Sequence, residues 1–139
     1  MKKPVSRATA RGMTLIEIMV VIVILGLIAT AVAYNVVGAA TRARIDRAKS
    51  DVQMIAGQGV DTFRVMHGRY PTTEEGLKIL IDEKILKPNN DKGTLTDPWG
   101  KEYLYVSPGQ AHPESFDVKT YGADGQAGGD GENADIGNF

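Results

Sequence analysis

The chain has 139 residues, enough for one ordinary domain, and an N-terminal apolar stretch occupies part of that length, so the water-facing body is small. The net charge of −1 hides an asymmetry, because every charged residue in the first eleven positions is basic and the rest of the chain carries 12 basic and 17 acidic residues. An acidic body disfavours nucleic-acid binding, which needs a basic face, and the absence of cysteine excludes a disulfide framework and a thiolate metal site.

The first predicted element is a membrane-spanning helix. Residues 18–41 carry no charge, and at about 1.5 Å rise per residue a helix of that length crosses a hydrocarbon core of about 30 Å. Because the preceding residues are basic, we expect a cytoplasmic N-terminus, with everything after Arg42 on the opposite side. A secretory signal peptide is the alternative, since residues 29–34 offer small side chains for cleavage. The apolar character continues past them, which favours the membrane helix.

One residue of this stretch is out of place. Glu17 is the only charged side chain between Arg11 and Arg42, and an uncompensated carboxylate near the middle of a bilayer costs about 3 kcal/mol. A signal peptide that is removed has no use for such a residue. The cost therefore indicates a functional role for Glu17.

Helical periodicity continues directly after the apolar run. Apolar or small residues recur at alternating steps of three and four, while most of the charged residues fall between them. No proline lies between Met13 and Met66, so the pattern predicts one helix over this range, apolar all round at first and one-sided later. The one-sided stripe should pack on a small C-terminal body; it comprises Ile45, Ala48, Val52, Ile55, Gly59, Phe63 and Met66.

The body after this helix reads as a small α+β unit. Thr72 and Glu75 have capping-box spacing ahead of apolar residues, which predicts a short second helix. Trp99 lies in an Asp-Pro-Trp-Gly turn, where we expect it to anchor a loop on the core. Residues 102–107 and 115–122 are rich in aromatic and β-branched side chains and predict an antiparallel pair of strands.

The chain ends in an acidic, glycine-rich segment, residues 121–138, with four carboxylates at Asp124, Asp130, Glu132 and Asp135. Calcium suits such a segment, because it binds carboxylate and carbonyl oxygens and glycines let the backbone fold round it. The spacing is not that of an EF-hand. From the residues alone, a calcium site and a solvated flexible loop both stay open.

The sequence RGMTLIEIMVVIVILG, residues 11–26, resembles the class III signal of type IV pilins and type II secretion pseudopilins. The resemblance implies that residues 1–12 form a leader, that a prepilin peptidase cleaves between Gly12 and Met13, and that Met13 is then N-methylated. Residues 13–41 would form the transmembrane and polymerisation helix, and residues 42–139 the periplasmic pseudopilin domain. The implied fold is type IV pilin-like, with the long helix packed on a small antiparallel sheet.

The resemblance also implies a partner for Glu17. The Met13 amine of one subunit would meet the Glu17 carboxylate of its neighbour in a staggered polymer; a pair with the amine of its own chain is the alternative. Many family members carry a proline where this chain has Tyr34. In assembled fibres of the family the helix melts locally, and this chain lacks the proline associated with that melting.

In major pseudopilins a C-terminal loop resembling GADG…NADIG binds one calcium ion. Carried over to this chain, Asp124 and Asp135 are the first and last side-chain ligands, and Tyr121 and Gln126 give main-chain carbonyls. Some relatives have an aspartate where this chain has Ala134. A further oxygen must therefore come from one of three residues: Asp130, Glu132 or Asn133.

The implied function is that of the major subunit of a type II secretion pseudopilus, which polymerises from the bacterial inner membrane and drives export of folded proteins. The implied partners are copies of itself, minor pseudopilins, the inner-membrane assembly platform and the prepilin peptidase, which is also the N-methyltransferase. A type IV pilin for adhesion or DNA uptake is the alternative, although pilins usually close the C-terminal region with a disulfide. An enzyme is disfavoured because His67 and His112 lack a nucleophile pattern.

Overall fold

The computed structural model describes residues 12–139, apart from the side chains of residues 33–37. The predicted leader up to Arg11 and the side chain of Tyr34 therefore lie outside the described residues. By its internal contacts the chain divides after Gly38 into an N-terminal and a C-terminal unit.

The predicted long helix is present, but its winding changes. Helix α1 runs from Leu15 to Met54, a π-helical segment follows at Ile55–Asp61, and helix α2 covers Thr62–His67. The chain leaves α2 at Gly68, whose φ of 71° is the left-handed conformation that glycine adopts freely. The expectation of one regular helix was wrong at residues 55–61, where the wider π turns pass through two glycines of the sequence IAGQGVD.

The predicted buried stripe is confirmed from Ala48 to Phe63, whereas Ile45 is only half-buried and Met66 is exposed. Ala48, Val52 and Ile55 are at most 1% exposed, whereas Met66 is 62% exposed and Val60, outside the predicted stripe, is fully buried. A π turn takes up an extra residue, so the phase of the helix shifts between Ile55 and Phe63. The shift brings Val60 inward and turns Met66 out to the surface.

Gly59 is the closely packed one of the two glycines in this π-helical segment. A Cβ atom there would lie 2.7 Å from Cδ1 of Leu86 and 3.0 Å from Cδ1 of Leu80. We expect Gly59→Ala to lower the free energy of unfolding by about 1–3 kcal/mol, because the extra methyl overpacks a closed core. Urea unfolding of the full chain in detergent micelles measures the change. Gly57→Ala is the control, since a Cβ at Gly57 meets nothing within 4 Å; equal losses in the two variants would contradict the packing argument.

The predicted capping box after the long helix is present, but it closes a turn at residues 73–77 and not the predicted short helix itself, which begins at Lys78 without a side-chain cap. The Thr72 N–H donates to Oε2 of Glu75 at 2.7 Å, and the Glu75 N–H donates to Oγ1 of Thr72 at 3.2 Å. Arg69 donates two hydrogen bonds of 2.7 Å to the same carboxylate. These bonds from Arg69 and then Thr72 lower the pKa of Glu75 to about 2. Helix α3, Lys78–Asp82, follows and buries Leu80 against the core.

The sheet has three antiparallel strands in the order β1-β2-β3: Leu104–Val106, Asp117–Thr120 and Ile136–Gly137. Tyr105 pairs with Val118, and Thr120 pairs with Ile136. The first two strands confirm the predicted pair, and the third was missed because two residues at the end of a glycine-rich loop give no strand pattern. One core joins the sheet to the buried face of the long helix and to α3, and the α+β prediction is confirmed.

Candidate functional site

Two features of the sequence pointed to function, and the first lies at the start of α1. Thr14 donates from its N–H and from its Oγ1 to Oε2 of Glu17, at 2.7 and 2.9 Å, and the Glu17 N–H donates back to Oγ1 of Thr14 at 3.3 Å. This reciprocal arrangement is a capping box. The carboxylate thus has a partner in its own chain that the sequence analysis did not name. The Thr-x-x-Glu spacing that predicted the Thr72 cap was the signal for this one too.

The surroundings of Glu17 are apolar and exposed. Leu15–Val32 is long and apolar enough to cross a membrane, and none of that window is buried within the described chain. The large side chains around Glu17 are exposed, for example Ile16 at 65% and Val20 at 50%. An apolar surface of this extent requires lipid or other helices to cover it. Gly12 and Met13 precede the helix and are exposed.

The second feature is the C-terminal loop, and a buried aspartate positions its start. Oδ1 of Asp97 accepts the N–H groups of Trp99 and Lys101, both at 2.9 Å, and the Thr120 hydroxyl donates to Oδ2. Trp99 packs against the core, as predicted for this turn. Asp97 therefore ties the turn to the last residue of β2, immediately before the loop leaves the sheet.

The loop folds back on itself around close backbone contacts. The Ala123 N–H donates to the Glu132 carbonyl at 2.8 Å. A Cβ at Gly129 would lie 2.6 Å from the Asn133 carbonyl oxygen, and φ at Gly129 is 89°. Only glycine allows this approach. The two ends of the loop are therefore held together by main-chain atoms.

The predicted side-chain ligands occupy both ends of this closed loop. Oδ1 of Asp124 accepts the Gln126 N–H at 3.1 Å, and Oδ1 of Asp135 accepts the Gly128 N–H at 3.0 Å. The second oxygen of each carboxylate has no hydrogen bond within residues 12–139. Glu132 turns toward Arg44, with 3.5 Å between Oε1 and Nη1, while Asp130 and Asn133 lie exposed on the loop.

The donor chemistry of the loop suits calcium. Within the described part of the chain, no three acidic, histidine or cysteine side chains converge on a possible metal position. The predicted ligand set instead combines carboxylates with the main-chain carbonyls of Tyr121 and Gln126. Calcium accepts such mixed carboxylate and carbonyl sets, which contain no nitrogen or sulfur. The residues present therefore fit the ion that the resemblance implies.

Family models match both parts of the chain. The sequence model of the type II secretion system protein G family matches residues 35–139, and that of the prokaryotic N-terminal methylation motif matches residues 7–33. The type II secretion system core protein G of Pseudomonas aeruginosa is 40% identical over 96% of this chain and 97% of the relative. The Vibrio cholerae protein of the same name is 40% identical over 92% and 90%.

A solved structure supports the same assignment. The crystal structure of the major pseudopilin from the type 2 secretion system of enterohaemorrhagic Escherichia coli aligns with a TM-score of 0.53 and 29% identity, covering 75% of this chain and 93% of that one. The alignments cover at least 90% of each of these relatives, and the family model covers most of this chain. The chain belongs to the type II secretion system protein G family.

Proposed function

We propose that this chain is the major structural subunit of a type II secretion pseudopilus and polymerises from the bacterial inner membrane to drive export of folded proteins. The observation that carries the proposal is a carboxylate, Glu17, in an exposed apolar helix, at the fifth position after the exposed Gly12–Met13 bond. Family membership over residues 35–139 favours the pseudopilin over a type IV pilin. The role is structural and not catalytic.

Assembly uses the charge that cleavage creates. Cleavage after Gly12 leaves Met13 with a free amine, which stays positive after methylation to a secondary amine. The Glu17 carboxylate of a neighbouring subunit then exchanges its cap on Thr14 for this amine. Removing one member of such a buried pair typically costs about 3–5 kcal/mol, so the pair acts mainly as a register key for polymerisation.

The topology follows from the leader and the apolar helix. The basic residues before Gly12 stay in the cytoplasm, Leu15–Val32 crosses the inner membrane once, and the C-terminal unit lies in the periplasm. The partners of this arrangement are other copies of the chain, minor pseudopilins, the inner-membrane assembly platform, and the prepilin peptidase and N-methyltransferase. The acidic body offers no basic face to nucleic acid.

The C-terminal loop is proposed to hold one calcium ion. The residues that would hold it are the carboxylates of Asp124 and Asp135 and the carbonyls of Tyr121 and Gln126, completed by Asp130, Glu132 or Asn133. A bound cation would neutralise the carboxylates of the loop and order it against the neighbouring subunit.

Intact-mass analysis of protein extracted from membranes tests the proposed class. A mature chain that begins at Met13 and carries one methyl group is the expected product. A chain that begins at Tyr34 would instead indicate an ordinary secretory protein. An uncut chain would have no free amine at Met13, the charge on which assembly depends. Both outcomes contradict the proposal.

A further inference from the structure

Lys101 reaches from the Asp97 turn into the C-terminal loop. Its Nζ donates to the Ala123 carbonyl at 2.7 Å and to the Gly122 carbonyl at 3.3 Å. A Cβ at Gly125 would lie 2.6 Å from the same Nζ. Lys101 is half-buried, and its ammonium group occupies the inside of the turn formed by residues 122–125.

The backbone of the same residue is fixed independently. The Lys101 N–H donates to the buried Asp97 carboxylate, which also binds the Thr120 hydroxyl at the end of β2. One end of the lysine is thus held by the body of the protein and the other holds the loop. Charge-assisted bonds from an ammonium group are roughly twice as strong as neutral ones.

The ammonium group of Lys101 binds main-chain carbonyl oxygens. Within residues 12–139 its Nζ makes no ion pair with Asp124 or any other carboxylate. The two carbonyls that it binds, of Gly122 and Ala123, are not those proposed to hold calcium, which belong to Tyr121 and Gln126. Lys101 therefore leaves the proposed ligands free while fixing the turn that connects them.

We propose that Lys101 is a positioning residue that folds the first turn of the C-terminal loop before any divalent cation binds. When the loop is already ordered, calcium binding does not have to supply the free energy of ordering it. Lys101 therefore raises calcium affinity. The opposite effect would follow if repulsion between the ammonium group and the ion dominated. The part of the inference that concerns affinity rests on the calcium proposal, whereas the folding of the turn does not.

Hydrogen exchange of the full chain in detergent micelles with EGTA tests the turn without calcium. In Lys101→Met, which keeps the length of the side chain, we expect peptides covering residues 120–127 to exchange at least tenfold faster than in the wild type. Peptides from β1 should be unchanged, and Lys101→Arg should restore slow exchange. Unchanged exchange of the loop in Lys101→Met overturns the inference.

Lys119→Met is the matched control for the loss of charge. Lys119 lies in β2 beside the loop, with its Nζ 5.0 Å from the centre of the Tyr121 ring. Within residues 12–139 this Nζ makes no hydrogen bond to a loop carbonyl. We expect exchange of the loop in this variant to stay within twofold of the wild type. An effect as large as that of Lys101→Met would assign the result to net charge and overturn the inference.

Calorimetric titration of the same proteins with calcium chloride tests the effect on affinity. The dissociation constant should rise at least fivefold in Lys101→Met and return in Lys101→Arg. An unchanged or smaller constant in Lys101→Met overturns the preorganising role. A wild-type protein that gives no heat at millimolar calcium instead overturns the calcium proposal, and Lys101 is then judged by exchange alone.

Discussion

Replacing Glu17 with alanine should abolish ordered filaments while the chain still reaches the membrane and is cleaved after Gly12. The variant leaves the Met13 amine of each neighbouring subunit without its counter-charge in an apolar environment. At about 3–5 kcal/mol per contact, the loss corresponds to a factor of roughly 10² to 5 × 10³ in each subunit association, and a polymer multiplies it. Sheared-filament yield and electron microscopy measure assembly, and intact mass of the membrane fraction measures cleavage.

Thr14→Val separates the two roles of the carboxylate. This variant loses the hydroxyl that bonds Glu17 at 2.9 Å but keeps the charge of Glu17. Loss of a helix cap costs about 1 kcal/mol, so filaments should still form. Equal failure of the two variants would show that the carboxylate serves only to cap its own helix. Wild-type filament yield from Glu17→Ala would show that assembly does not need the carboxylate.

Replacing Asp97 with alanine should produce the largest loss of stability in the C-terminal unit. Asp97 is 5% exposed, and its carboxylate accepts hydrogen bonds from Trp99, Lys101 and Thr120. The variant leaves these donors unpaired, at about 1–3 kcal/mol for each one that stays buried, and we expect a total loss of about 3–5 kcal/mol. Urea unfolding of the full chain in micelles, followed by the fluorescence of the single tryptophan, measures the loss.

Asp91→Ala is the control for this experiment. Asp91 is an exposed aspartate in the turn before β1, and a substitution at such a position normally changes stability by less than about 0.5 kcal/mol. A loss below about 1 kcal/mol in Asp97→Ala would contradict the role given to this carboxylate. It would also weaken the argument for Lys101, whose backbone the same carboxylate holds.

Local sequence signals predicted the elements that local interactions determine. The step of three and four residues found Ala48, Val52 and Ile55, and the Thr-x-x-Glu spacing found the cap at Thr72, because neighbours along one helix create these patterns. The same spacing occurs at Thr14, but the sequence predicted a partner for Glu17 in another chain, because Glu17 is a charged residue in an apolar run.

Tertiary packing determined what the sequence could not predict. The π-helical segment lies where Gly59 meets Leu80 and Leu86, side chains that are more than twenty positions away in the chain. Strand β3 owes its two residues to pairing with β2, since Ile136–Gly137 has no strand pattern of its own. The contact of Lys101 with the loop likewise joins residues 22 positions apart, and no periodicity indicates it.

The candidate sites were predictable as residue types but not as contacts. The glycines and carboxylates of residues 121–138 identified the loop, and the cleavage motif identified Gly12, Met13 and Glu17. The pairing of Glu132 with Arg44 at 3.5 Å was not predictable, because it depends on how the loop folds against the long helix of the same unit.

A density map of the assembled filament tests the central claim most directly, provided that it resolves the first turn of α1. We predict the Glu17 carboxylate within about 4 Å of the Met13 nitrogen of a neighbouring subunit, the distance of an ion pair. A map in which Glu17 still caps Thr14 of its own chain, with every neighbouring amine out of reach, would contradict the account.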